Sequence, residues 1–408
     1  MPKSKFLFPL ILVTSLFFLW GFAYGLLDVL NKHFQETLNI TKIRSALLQG
    51  AYFGAYFVIS LPAGLFMNKY GYKKGVILGL LLYASGAFLF YPAAQLSNFN
   101  FFLFALFVLA SGLTCLETAA NPYVTVLGDA STSETRLNLS QCFNGLGSFL
   151  GPLIAASLFF GMNTKDNLDG VKLIYIIIGI VVLFIAALFM KTELPEIKES
   201  KIVSIPELNK KPLLRHGNFI GSIIAQFFYV SAQIGVAAFF INYCTESGVG
   251  IDNAKASHLL SMALILFTLG RFIGTALMRR IAANKLLTIY AISNIILCSI
   301  VVWKHEWASV YALMAIFFFE SIMFPTIFAL GLKDLGSHTK KGSSFIIMSI
   351  AGGALVPYVM GLLSDNYSTS FAYIIPLLCF IAVAWYGFLG YRVKGSTKPE
   401  KIKVEFVH

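Results

Sequence analysis

Charge is scarce in this sequence. Only 12% of the 408 residues are Asp, Glu, Lys or Arg, against 57% hydrophobic, and the mean hydropathy is +0.76. A soluble domain of this size could not hide so much apolar surface, so the class that remains is an all-α polytopic membrane protein. Cysteine is scarce too. Cys115, Cys142, Cys244, Cys298 and Cys379 all fall in apolar runs, away from any oxidant, so no disulfide is expected. The six histidines (His33, His216, His258, His305, His338 and His408) lie in connections or at the ends of apolar runs. That leaves carboxylates as the groups able to carry protons through the interior. No clustered Cys/His metal site, phosphate-binding glycine loop or nucleophile elbow is present, so neither an enzyme nor a metal or cofactor is expected. The formal charge of +12 is not a nucleic-acid signature either. Its basic residues sit in short clusters between apolar runs, which is the pattern of a positive-inside membrane protein.

What is abundant is the apolar run of about twenty residues, the length that crosses a bilayer. Twelve such spans are expected near 6–31, 45–67, 75–94, 100–128, 137–161, 171–190, 217–245, 255–280, 285–304, 306–332, 342–364 and 371–391. The first resembles a signal peptide at its start but runs past Trp20 with no small-residue cleavage site, so it is read as a retained span. The one long polar connection, 191–216, carries Lys191, Lys198, Lys201, Lys210, Lys211 and Arg215. It divides the chain into six-span halves at 1–190 and 217–408. With the N-terminus inside, 23 of the 31 Lys and Arg fall on the inner side, 7 on the outer, and Arg271 lies within a span. Both termini are therefore expected in the cytoplasm of a bacterial inner-membrane protein. The halves also repeat. Gly64-Leu-Phe-Met-Asn-Lys-Tyr-Gly71-Tyr-Lys-Lys after span two corresponds to Gly274-Thr-Ala-Leu-Met-Arg-Arg after span eight. A glycine that lets helices approach, then a basic cytoplasmic turn, resembles the loop signature of the major facilitator superfamily, whose fold is two six-helix repeats. Asn68 stands where that signature has an aspartate.

Three carboxylates interrupt the spans: Asp28, Glu117 and Glu320. A charge at the bilayer centre costs roughly 2.5–3.5 kcal/mol on insertion scales, so a retained acid binds something, moves a proton or pairs with another charge. Glu117 and Asn121, four apart, share one helical face, and Pro122 frees the carbonyl of Thr118 from its helical hydrogen bond. Asn138, Gln141 and Asn144, three apart, share a face of span five. Amides and acids around one cavity suit a polyhydroxylated ligand, and Trp20 and Tyr24 offer flat apolar surfaces for a sugar ring. Single amides in membrane helices also serve as interhelical glue, and Asp28, toward the outer end of span one, also fits an interfacial acid. Glu320 has two readings: an acceptor for sugar hydroxyls, or the ion-pair partner of Arg271. Pro325 frees the carbonyl of Ser321 beside it.

Four stretches carry a more specific resemblance: Cys115-Leu-Glu-Thr-Ala-Ala-Asn-Pro-Tyr-Val-Thr-Val-Leu-Gly128, Arg136-Leu-Asn-Leu-Ser-Gln-Cys-Phe-Asn144, Phe324-Pro-Thr-Ile-Phe-Ala-Leu-Gly331 and Gly342-Ser-Ser-Phe-Ile-Ile-Met-Ser349. With them the whole chain resembles the fucose–galactose–glucose:proton symporter family. The resemblance implies that Asp28 and Glu117 are a functional pair, one tied to the proton and the other to sugar. It implies that Gln141 and Asn144 line the sugar cavity. It also implies that spans one, four, seven and ten line the pathway, which brings in Gln226, Tyr229 and Gln233. It assigns nothing to Glu320. The expected activity is import of a neutral hexose or 6-deoxyhexose, L-fucose first, with the proton as coupling ion. Glucose, galactose and N-acetylglucosamine are the alternatives, then an antiporter or a non-transporting sensor. The expected partners are a sugar and the bilayer, with the protein a monomer. Tyr24-Gly-Leu-Leu precedes Asp28 where fucose-carrying members have asparagines. Gly147-Ser-Phe-Leu-Gly151-Pro152 in span five approaches a pattern common in antiporters.

Overall fold

With no water in the bilayer core, each backbone N–H and C=O must find its partner inside the protein, so a chain this apolar folds as helices. The computed structural model describes residues 7–40, 44, 47–126, 130–160, 168–192, 212–304, 306–333 and 335–392, and these contain no strands. The side chain of Asp28, most of the 191–216 connection and residues 393–408 lie outside the described set.

Among the described residues, twelve helical spans run in chain order. The first half holds α1 (Leu7–Thr37), α2 (Leu47–Tyr70), α3 (Tyr72–Gln95), α4 (Phe99–Val126), α5 (Ser133–Phe160) and α6 (Asp169–Lys191). The second begins with α7 (Gly217–Ala238), continued after a break by Phe240–Glu246, then α8 (Asn253–Leu277) and α9 (Ala283–Trp303). It ends with α10 (Glu306–Glu320 and Met323–Leu332), α11 (Thr339–Met348 and Gly352–Asn366) and α12 (Thr369–Ala372 and Ile374–Trp385). Ten are long and apolar enough to cross a membrane as they stand, and α1 holds a shorter apolar stretch, Ile11–Leu27. The remaining one, α5, carries the run of polar side chains that the sequence places on one face. Spans seven, ten, eleven and twelve are broken helices rather than the continuous spans expected. In α10 the break falls at Ser321 and Ile322, so Pro325 occupies the first turn of the new segment, where a missing N–H costs nothing.

Glycines decide which helices touch most closely. A side chain at Gly21 or Gly25 of α1 would run into Asn144, Ser148 or Pro152 of α5, and one at Gly147 or Gly151 would run into the carbonyls of Phe18 or Phe22. Two glycine pairs, each four residues apart, thus zip α1 to α5, the small-xxx-small mode of membrane helix packing. This is the structural role of the Gly147–Pro152 stretch. Gly64 does the same between halves: a Cβ there would strike Ser344 of α11. Its repeat partner Gly274 lies against Ile322 at the α10 break. Gly71, at φ 89° and ψ 167°, takes a positive-φ conformation open to glycine that the tight α2–α3 turn needs.

All five cysteines are free and buried, as expected.

Gly147→Leu forces α1 and α5 apart and should destabilise the bundle by about 1–3 kcal/mol or more. Thermal unfolding of the purified protein measures this. Gly54→Leu, at a position where a Cβ meets nothing within 4 Å, serves as the tolerated control.

Candidate functional site

Between the two halves lies a cavity of about 360 Å³. Its polar lining comes from Glu117 of α4, Gln141, Asn144 and Ser148 of α5, Gln233 of α7, Arg271 of α8 and Glu320 of α10. Aromatic rings cover much of the rest: Trp20, Tyr24, Tyr52, Tyr56, Phe317 and Phe324. The cavity extends to Leu153, Ala237 and Ser261, in the helix ends farthest from the basic turns at Lys69–Lys74, Arg279–Arg280 and Lys333–Lys341. Toward the basic turns the halves meet and close it.

The closure is built from polar groups that the sequence itself leaves unpaired. Pro122 has no N–H for the carbonyl of Thr118, and the hydroxyl of Ser343, from α11 in the other half, donates to that oxygen at 2.9 Å. Pro325 likewise frees the carbonyl of Ser321, which accepts from Nε of Arg271 at 2.9 Å. Nη1 of the same guanidinium reaches across to α5, donating to the carbonyl of Gln141 at 2.7 Å and to Oδ1 of Asn144 at 3.4 Å. Asn138 donates to the hydroxyl of Thr326 at 3.2 Å, again between halves.

Glu117 is 2% exposed. Its Oε1 accepts a long 3.5 Å bond from Asn121, whose own Oδ1 accepts from Gln141 at 3.4 Å. Oε2 has no hydrogen-bond partner. Tyr56 stands beside the carboxyl, with its hydroxyl 3.4 Å from that of Tyr52. Tyr52 in turn packs on Tyr24, ring centroids 6.0 Å apart. Asn144 is anchored to α1 by donating to the carbonyl of Phe17 at 3.3 Å.

Of the residues picked from sequence, Trp20, Tyr24, Glu117, Gln141, Asn144, Gln233 and Glu320 line this cavity. Asn121, Asn138, Gln226 and Tyr229 do not; all are fully buried behind its wall. The helical face was right for Asn121, but the cavity stops short of it, and Asn121 instead ties Glu117 to Gln141. Asn138 lies a turn closer to the basic end than Gln141 and joins the closure. Gln226 is buried with both side-chain polar atoms unpartnered. Tyr229 donates its hydroxyl to the main-chain carbonyl of Glu320 at 3.0 Å. For Asp28 only the helical backbone of α1 is described. The Arg271–Glu320 ion pair is not formed, since the guanidinium is committed to Ser321, Gln141 and Asn144. Tyr52 and Tyr56 were missed. Their four-residue spacing puts both hydroxyls on one face of span two, which was the available signal.

Ser343→Ala strands the carbonyl of Thr118 and should weaken the closed end by about 1 kcal/mol, roughly fivefold in population. The readout is thiol labelling of Cys142, buried at the same junction with its Sγ 3.9 Å from Thr275 of α8, in a variant lacking the other four cysteines. Labelling should speed up severalfold; an unchanged rate would remove Ser343 from the closure.

The family model described as Major Facilitator Superfamily matches residues 13–356. The chain is 39% identical to the L-fucose-proton symporter of Escherichia coli K12, over 93% of this chain and 92% of that one. It is 37% identical to the glucose/galactose transporter of Brucella abortus, over 95% of each. The solved E. coli fucose:proton symporter FucP shares its helix arrangement with a TM-score of 0.83 at 38% identity, covering 94% of this chain and 98% of that one. A structure of FucP in the outward conformation gives 0.84. Full-length relatives, a solved neighbour and the family model agree, and the chain belongs to the major facilitator superfamily, in its fucose–galactose–glucose:proton symporter family.

Proposed function

We propose that this protein imports a neutral hexose or 6-deoxyhexose together with a proton, as a monomer in a bacterial inner membrane, with L-fucose the first sugar to test. The observation that carries this reading is the cavity itself. Two buried acids, three amides and a set of aromatic rings converge between two six-helix halves, and the polar groups suit hydroxyls while the rings suit the apolar face of a pyranose. The names of the relatives support the same substrate class: an L-fucose-proton symporter and a glucose/galactose transporter. The basic turns mark the cytoplasmic side by the positive-inside rule. On that assignment both termini are cytoplasmic, the halves 1–190 and 217–408 move about the 191–216 connection, and the conformation described is outward-facing.

Glu117 is the proton carrier in this reading. It is buried, faces the cavity, and has one oxygen with no partner in the protein. Closing the outer side over a charged Glu117 would seal a carboxylate with one unpartnered oxygen into a low-dielectric chamber, at a cost of several kcal/mol. A proton removes that charge, and sugar bound to Gln141, Asn144 and Gln233 across the rings of Trp20 and Tyr24 completes the load. Asp28 on α1 takes the second role in the acid pair. Asn121 and Asn138 act as positioning residues rather than ligands, and Gln226 and Tyr229 form the wall behind the site. A proton moving inward releases about 2.3 kcal/mol per 100 mV, enough to concentrate a neutral sugar roughly fiftyfold.

In cells lacking other hexose carriers, a radiolabelled panel should show uptake of one or a few of these sugars. Adding that sugar to an unbuffered suspension should alkalinise the medium. Acidification would indicate antiport, and uptake that follows a sodium gradient and ignores pH would sink the proton coupling. Glu117→Gln should lose uphill accumulation while retaining exchange of labelled for unlabelled sugar. Asp28→Asn should impair active uptake strongly. Wild-type accumulation by either variant would remove that residue from the coupling.

A further inference from the structure

The second half holds an acid that the closure and the Glu117 network both leave unused. Glu320 ends the first segment of α10, is fully buried and lines the cavity. Neither of its carboxyl oxygens has a hydrogen-bond partner. Its natural neighbours are all engaged elsewhere. Arg271 bonds the carbonyl of the next residue, Ser321, and then turns away to α5. The Tyr229 hydroxyl takes the main-chain carbonyl of Glu320, not its side chain. Among the described residues no cation comes within ion-pair distance of it. Buried polar groups in proteins nearly always have a partner, and a bare carboxyl is among the costliest exceptions. The cavity is an open side from which a partner can come.

The rest of that face says what the partner is. Phe317 and Phe324 stand three residues before and four residues after Glu320 in the chain, and both line the same cavity. Phe324 also meets Trp20 of the first half, ring centroids 6.4 Å apart at 62°. An acceptor with about four lone-pair sites, flanked by flat apolar rings, matches a pair of adjacent hydroxyls on a ring whose C–H face is apolar. Glu117, Gln141 and Asn144 face the same space from the other half.

We propose that Glu320 is the specificity-determining residue of the second half: its carboxyl receives two adjacent hydroxyls of the pyranose, while the amides of α5 hold the opposite edge. This rests on the sugar-import reading above and adds which part of the ligand the α10 side of the cavity recognises. Sugars with the same α5-facing edge but an altered hydroxyl pair are then sorted by Glu320.

The test pairs changes in the protein with changes in the ligand. Purified full-length protein is assayed for competition of the labelled transported sugar by its complete set of monodeoxy derivatives and by the matching amino sugar. In wild type, removing a hydroxyl that faces Glu320 should weaken competition tenfold or more. In Glu320→Leu and Glu320→Gln that penalty should fall below threefold, while penalties at the other ring positions persist. Gln141→Ala should erase the penalty at a different position. Identical deoxy profiles in wild type and both Glu320 variants would overturn the proposal. So would loss of folding in both, which marks a structural acid, or selective loss of the amino sugar alone, which marks an ammonium site. Failure of wild type to bind any sugar would instead refute the import reading.

Discussion

The constraint on which this structure turns is that backbone polar groups cannot go unpaired in hydrocarbon. It makes every described span a helix, and it makes proline expensive unless something else satisfies the carbonyl it abandons. Two prolines sit deep in the bundle beside the two cavity acids. Pro122 abandons Thr118, next to Glu117; Pro325 abandons Ser321, next to Glu320. Each orphaned oxygen is taken by a side chain from another helix, Ser343 in one case and Arg271 in the other. Those donors hold the basic end of the molecule shut. The irregular backbone that loosens the helices at the acids is therefore the same feature that fastens the halves together just below them.

The bonds form a continuous chain through the molecule. Glu117 accepts from Asn121, Asn121 accepts from Gln141, the backbone of Gln141 accepts from Arg271, and Arg271 also holds Ser321 beside Glu320. The two acids thus share one scaffold though they lie in different halves. Because α5 is zipped to α1 by Gly21, Gly25, Gly147 and Gly151, it carries Asn144 and α1 with it as a unit. A relative rotation of the halves would strain the α5–α8 bonds of Arg271 together with Ser343–Thr118 and Asn138–Thr326, since all of these cross between the two halves.

Much of this was legible in the sequence because membrane insertion writes itself in one dimension. Span lengths, the basic turns, the repeat of the Gly64 and Gly274 segments and the isolated acids at 117 and 320 all follow from local composition. Periodicity also picked the right helix face for Glu117, Asn121, Gln141 and Asn144. It could not say how deep the cavity reaches along that face, and Asn121 and Asn138, expected among the ligand groups, lie buried outside the lining of the cavity described. The abandoned carbonyls of Thr118 and Ser321 were visible from Pro122 and Pro325, but their new partners lie 225 and 50 residues away in the chain. Tyr52 and Tyr56 were not picked out: their spacing puts both hydroxyls on one helix face, but it does not say whether that face meets the cavity or the lipid. Gly147–Pro152 shows the converse: a motif with a functional look that serves helix contact.

The Arg271 guanidinium has one further consequence. It is a buried guanidinium in the closed junction, so opening that junction would ordinarily mean stripping a buried cation of its partners, which costs about 3–5 kcal/mol when a buried pair is broken. Here the guanidinium has divided its bonds between bodies. Those to Gln141 and Asn144 cross the junction, while the one to Ser321 stays within its own half. When the halves separate, the charge leaves with one acceptor still in place and with the face of Phe267, 4.6 Å away, still beneath it. Only the two crossing bonds must be exchanged for water. Among the described residues, one ion pair spans the junction, Lys333 with Glu134, and it is loose at 3.9 Å and half-exposed on the lysine side. The junction is thus held by dipoles and hydroxyls rather than by paired charges, which makes it largely indifferent to ionic strength and able to open and reseal at every cycle without a large electrostatic barrier.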